Sequence, residues 1–289
     1  MLKHRLLFGT LMTVLFIGLM IFDGWLDGAL TDSSLDDTNT QATILCVLVA
    51  LLIIPAQLEF SGLVNSKNTK IFKPVSITAS ILLATSWYWV RIFSFSLEMY
   101  LLYLCVFAFL AFFFYQYVIY GLSGTIANCG ANMLSIIYLG LFSSFIVAIR
   151  LDFGLWALLM FVFVIKCSDI GAYTIGKLFG KHKFSPKISP AKTWEGMAGA
   201  VGFAVIVGVL FSAFSDIIGI LHSVVFGICF AFIGQLGDLL ESMLKRDAEQ
   251  KDSVNSNSVG VPGFGGILDV IDSPLAAAPF AYMFFLFLK

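Results

Sequence analysis

Asp269 and Asp272 stand three residues apart at the start of an apolar run that continues to residue 288. At helical spacing they share one face, and two acids on one face repel unless one is protonated or a cation lies between them. A divalent metal is the economical reading. Upstream, Asp238, Glu241, Ser242 and Lys245 recur at i, i+3, i+4 and i+7, again on one helical face, with Arg246 beside them. The bland alternative for that face is a structural pairing of Asp238 with Lys245. Near membrane depth an ionisable side chain is costly, which makes each of these a functional candidate.

Two further stretches add phosphate-binding chemistry. Lys251-Asp252-Ser253 leads to Pro262-Gly263-Phe264-Gly265-Gly266, a turn that offers backbone N–H groups and close approach. From Asp169 the chain carries a lysine every few residues, at Lys177, Lys181, Lys183, Lys187 and Lys192, and then Thr193-Trp194-Glu195. Within it, Ser189 as N-cap and Pro190 as the first helical residue predict a helix start. A helix N-terminus flanked by Lys187 and Lys192 would suit a phosphate. The alternative is a basic loop that touches anionic headgroups.

Carboxylates from at least two helices, adjoining Lys and Arg, and a Gly turn are the parts of metal-assisted phosphoryl or nucleotidyl transfer. Mg²⁺ takes oxygen ligands and is held by a few carboxylates plus substrate phosphates, while Lys and Arg neutralise charge on the transferring group. No Walker A loop, kinase loop, Ser-His-Asp triad or His-rich zinc site is present in the sequence.

These residues must be positioned by a membrane fold. Of the 289 residues 59% are hydrophobic and only 12% charged, with 30 Phe and a mean hydropathy of +0.95. That composition describes an all-α polytopic transmembrane protein. The formal net charge of -1 argues against bulk attraction to nucleic acid. Nine apolar runs are long enough for spans, at 6–22, 42–58, 75–90, 99–119, 127–149, 153–168, 197–214, 222–240 and 267–288. The first reads as an uncleaved span, because Asp23-Gly-Trp-Leu-Asp27 follows it in place of a small-residue cleavage site. All five cysteines sit in or beside apolar runs and read as small core residues.

Nine alternating spans with a cytoplasmic N-terminus put 14 of the 17 basic residues inside and leave Arg91, Arg150 and Lys289 outside. The first external loop holds Asp23, Asp27, Asp32, Asp36 and Asp37 with no Lys or Arg. The expected organisation is N-terminal helices over 1–150 and a catalytic region over 151–289, with cytoplasmic loops at 166–196 and 241–266.

From Ser242-Met-Leu-Lys245-Arg246 through Lys251-Asp252-Ser253 to Pro262-Gly-Phe-Gly-Gly-Ile-Leu-Asp269-Val-Ile-Asp272-Ser273, the sequence resembles the signature of the phosphatidate cytidylyltransferase family. The stretches around Asp169-Ile-Gly-Ala-Tyr173, Phe179-Gly-Lys181-His182-Lys183 and Ser189-Pro-Ala-Lys192-Thr193-Trp194-Glu195-Gly196 are similar to a second block of that family. The resemblance covers about residues 160 to 289. It departs at Phe264 and Val270, where the common form has His and Arg, and in the longer connection after Asp252.

The resemblance implies transfer of cytidylyl from CTP to phosphatidic acid, giving CDP-diacylglycerol and pyrophosphate in phospholipid biosynthesis. A phosphatidate phosphate is already about doubly ionised near neutral pH and needs no strong base, so loss of the His is tolerable. By the same resemblance Asp238, Lys245, Arg246, Lys251 and Asp269 are catalytic. Lys181, Lys192, Thr193, Glu195, Ser242, Asp252, Gly263 and Gly265 bind substrate, and Asp238, Asp269, Asp272 and Asp169 hold Mg²⁺, with a second cation left open. The implied partners are CTP, phosphatidic acid, the bilayer and a second copy of the chain, at a bacterial inner membrane with the site facing the cytoplasm. The alternatives are a CTP-dependent transferase acting on another lipid phosphate and a non-catalytic transporter or lipid-binding relative.

Overall fold

A computed structural model of the chain describes residues 2–28, 41–215, 217–250 and 265–289, with side chains from residue 9 onward. Asp32, Asp36, Asp37, Lys251, Asp252, Gly263 and Phe264 lie outside the described residues. A chain this apolar must satisfy its backbone internally, and it does so with helices. In order they are α1 (Leu2–Leu26), α2 (Thr43–Asn65), α3 (Lys73–Ala84), α4 (Ser86–Phe93), α5 (Leu97–Tyr115), α6 (Thr125–Ser135), α7 (Phe142–Phe179), α8 (Trp194–Ser215), α9 (Ile220–Asp247) and α10 (Ile267–Leu288). A π-helical turn, Ile136–Leu141, joins α6 to α7. A two-stranded antiparallel hairpin, β1 (Lys183–Ser185) and β2 (Ser189–Thr193), stands between α7 and α8.

Among the described residues seven helical stretches are long and apolar enough to cross a membrane, or eight if α3 and α4, bent by 62° at Thr85, make one broken span. The chain is therefore an integral membrane protein. One stretch, Thr125–Phe179, has 55 residues. As a single helix it would be about 80 Å long, against a hydrocarbon core of about 30 Å. It breaks at Gly154, whose φ of 88° and ψ of 179° are non-helical and sterically open to glycine. Tyr138 near its start lies in the field of Asp238, Glu241 and Asp272, Arg150 and Asp152 contact the opposite end of the bundle, and Asp169 is back beside Gln235 of α9. Gly154 divides the stretch into two limbs, and the seven or eight candidate spans among the described residues stand against the nine apolar runs read from the sequence.

At that opposite end Arg150, only 1% exposed, lies 2.8 Å from Asp27 and 3.3 Å from Asp23. The same carboxylates accept from the N–H groups of Ala42 and Ile44, so the clasp also fixes the start of α2. Asp152 takes Arg91 and the Tyr282 hydroxyl, tying α4 and α10 to the turn at Gly154.

The cytoplasmic loop expected over 166–196 is mostly helix and hairpin: α7 continues to Phe179, and β1 and β2 take up the rest. Small residues let α7 and α8 approach closely, since a Cβ on Gly199 would come within 2.6 Å of the Gly171 carbonyl. The helix start expected at Ser189 and Pro190 is instead strand β2. Proline biases the residue before it toward extended backbone, and the cap falls four residues later, where Thr193 Oγ1 accepts from Gly196 N–H at 3.1 Å. All five cysteines are free, with Cys46 and Cys129 buried and Cys229 exposed.

Candidate active site

The start of α10 is held by three devices. The Gly266 N–H donates to Asp269 Oδ2 at 2.7 Å, which caps the helix from its own first turn. Gly265 has a φ of 97°, and a Cβ there would collide with that same oxygen, so glycine is required on both counts. Ile267 and Leu268 donate their N–H groups, each at 2.9 Å, to the two oxygens of Glu59, a fully buried residue in the C-terminal third of α2. A carboxylate on a helix N-terminus is favoured by both the free N–H groups and the helix dipole. The acids of α10 are thereby fixed in place.

Facing them is α9. Asp238, Glu241 and Asp272 bring carboxylate oxygens within 4.8 Å of one another. Lys245 lies 2.6 Å from Glu241 and 2.8 Å from Asp269, clamping α9 to α10. The pairing of Asp238 with Lys245 does not occur. Asp238 is 2.6 Å from Lys192 of β2, which also donates to the Gln235 carbonyl at 2.9 Å. From α7, Asp169 accepts from Gln235 Nε2 at 3.2 Å. Asp272 Oδ1 accepts from the Ser273 N–H at 2.6 Å.

A cleft of about 310 Å³ opens over these groups, lined by Asp169, Lys192, Thr193, Asp238, Asp269 and Asp272 together with Tyr173, Phe184 and Gln235. Six of the residues singled out in the sequence are thus gathered in one place from α7, β2, α9 and α10. Others lie elsewhere. Glu195 spends its carboxylate on the N–H groups of Lys181 and His182 and on the His182 ring, bracing the base of the hairpin. Arg246 donates to the Ile188 and Gln250 carbonyls. Lys181 has an exposed side chain, and Ser242 is buried within α9.

The acid group suits a hard divalent cation. Its donors are all oxygen, and among the described residues the buried Glu241 Oε1 has no hydrogen-bond partner. Glu241 was visible in the sequence only as a member of the α9 face. Glu59 and Gln235 carry no local signal, since their side-chain partners are 66 to 209 residues distant, and Lys166 pairs locally with Asp169 but reaches a backbone carbonyl 104 residues away.

The model of the cytidylyltransferase family matches residues 38–288. Phosphatidate cytidylyltransferase of Haemophilus influenzae is 41% identical over 139 residues, 46% of this chain and 47% of that protein. The Bacillus subtilis protein of the same name is 40% identical over 161 residues, 55% and 58% of the two chains. That of Synechocystis is 36% identical over 193 residues, 55% and 63%. The chain thus spans about half the length of the curated relatives it matches. Because the family match runs from the start of α2 through α10, and so takes in every element that builds the cleft, this chain belongs to the cytidylyltransferase family.

Proposed function

We propose that the chain transfers cytidylyl from CTP to phosphatidic acid, releasing pyrophosphate and leaving CDP-diacylglycerol. The observation that carries this reading is the cleft where Asp238, Asp269 and Asp272 converge with Lys192, inside the stretch matched by the family. A phosphatidate oxygen forms a bond to the α-phosphorus of CTP as the α–β phosphoanhydride bond breaks, and pyrophosphate carries off the electron pair. Asp238, Glu241 and Asp272 would hold Mg²⁺, with Asp169 and Asp269 bordering it. When bound, that ion neutralises phosphate charge and so lowers the barrier to displacement at phosphorus.

The protein's own groups do the remainder. Lys192 reaches the cleft from β2 with its ammonium already beside Asp238, where a triphosphate bound to the same acids would meet it. Lys245 keeps the acids of α9 and α10 in register. Lys251, in the segment that follows α9, and Arg246, in the last turn of α9, are proposed to meet phosphate oxygens. The excess of Lys and Arg on one set of connections supports a cytoplasmic face for the cleft, at the inner membrane of a bacterium, where CTP is available.

The test is turnover of labelled CTP in detergent with phosphatidic acid and Mg²⁺, comparing wild type with Asp269→Asn. Label entering lipid with wild type, and none with a folded variant, is the expected result. A wild type that CTP stabilises but that leaves phosphatidic acid unlabelled overturns the lipid assignment.

A further inference from the structure

The cleft has two kinds of wall. It is polar where Asp238, Asp269, Asp272 and Lys192 meet, and apolar beside the hairpin, where Phe184, Ala172 and Met197 line it. An irregularity in the hairpin turns Phe184 into that wall. Lys183 pairs with Thr193 and Ser185 with Ser189, so Phe184 alone stands opposite Pro190, Ala191 and Lys192. Proline has no N–H for a ladder, and a bulge re-aims the side chains around it. Ala191 and Lys192, which strict alternation sends to opposite faces, both line the cleft with Phe184.

The ring is also held in place. Phe184 is half-buried and meets Trp194 edge to face, with centroids 4.7 Å apart and planes at 84°. The other ring that lines the cleft, Tyr173, carries the Lys177 ammonium 5.6 Å from its centroid and is more than half exposed. A hairpin with open strand edges does not sit in hydrocarbon, where unpaired backbone groups find no water. The apolar wall that it brings to the cleft therefore stands on the aqueous side, where a nucleotide arrives and acyl chains do not.

We propose that Phe184 is the nucleobase platform of this cleft: the cytosine ring of CTP stacks on it while the triphosphate extends to Lys192 and the acids of α9 and α10. The inference rests on the cytidylyl-transfer reading above and adds to it the residue that holds the base. Lys192 stands across the hairpin from Phe184, so one short strand pair spans the base and the phosphates. Every base has a π face, so stacking supplies affinity and leaves the choice of cytosine to groups at the edge of the ring.

The experiment measures thermal stabilisation of the detergent-solubilised protein by CTP and by inorganic tripolyphosphate, each with Mg²⁺, alongside KM for CTP and for phosphatidic acid. Wild type should bind CTP more tightly than tripolyphosphate, which lacks the base. Phe184→Leu keeps an apolar side chain against Trp194 but loses the π face. It should weaken CTP binding and raise KM for CTP by about tenfold, while tripolyphosphate stabilises it as it does wild type. Phe184→Met serves as a second apolar replacement with the same expectation. Phe184→Tyr should recover most of the loss, and Tyr173→Leu should cost less than Phe184→Leu. Unchanged CTP affinity in Phe184→Leu overturns the proposal, as does a rise in KM for phosphatidic acid alone, which would give the ring to the lipid. Equal stabilisation of wild type by CTP and tripolyphosphate, with label still entering lipid, overturns this inference alone. A wild type that neither ligand stabilises and that labels no lipid overturns the functional reading as well.

Discussion

Glu59 Oε1 accepts the N–H of Ile267 at 2.9 Å, across 208 residues of sequence, and the other oxygen of the same carboxylate takes Leu268. A buried acid in the second helix thus sets the first turn of the last one, from which Asp269 and Asp272 project into the cleft. Glu59→Gln replaces one acceptor oxygen with a donor that faces an N–H. We expect a loss of about 2 kcal/mol in stability, and a higher Mg²⁺ concentration for half-maximal turnover because the acids of α10 lose their register. A thermal melt and a Mg²⁺ titration of activity read the two effects separately. A melt shift with no change in Mg²⁺ requirement would confine Glu59 to folding.

Lys192 places its ammonium 2.6 Å from Asp238, from a strand outside the helical bundle. Lys192→Met should lower turnover of CTP by about 100-fold, the scale set by removing one preorganised donor from a developing charge. Lys192→Arg should restore part of it. Full activity in Lys192→Met would remove this residue from the machinery.

Thr193 both lines the cleft and caps α8 through the Gly196 N–H. Thr193→Ala should cost about 1 kcal/mol, and Thr193→Ser should cost little because the hydroxyl remains. Chemical unfolding of the three proteins in one detergent gives the comparison.

Arg150 is shared by Asp23 and Asp27 at the end of the bundle away from the cleft. Arg150→Ala strands two buried carboxylates and should destabilise the protein by about 3 kcal/mol. The same substitution made in an Asp23→Asn, Asp27→Asn background should cost much less. Equal losses in both backgrounds would mean that the pairing contributes nothing.

Much of this architecture is legible in the chain itself. Long apolar runs admit little but helices in a membrane, because hydrocarbon cannot satisfy an exposed backbone. The spacing of Asp269 and Asp272, and of Asp238 and Glu241, follows from the helical period alone. Even the turn at Gly154 is foreshadowed, by an Arg150-Leu-Asp152 interruption between two apolar runs.

Tertiary structure decided which charges meet. Asp238 and Lys245 share a face, yet seven residues separate them by about 10 Å along a helix, whereas Glu241 is one turn from Lys245 and Asp269 comes to the same ammonium from α10. Asp238 is left to Lys192, brought over by a hairpin where sequence spacing favoured a helix start. Glu59 and Lys166 act on backbone groups of α10, and a backbone N–H or carbonyl carries no residue signature that could announce its partner. Local periodicity determines which side chains face the same way; only the packing of distant helices determines what lies opposite them.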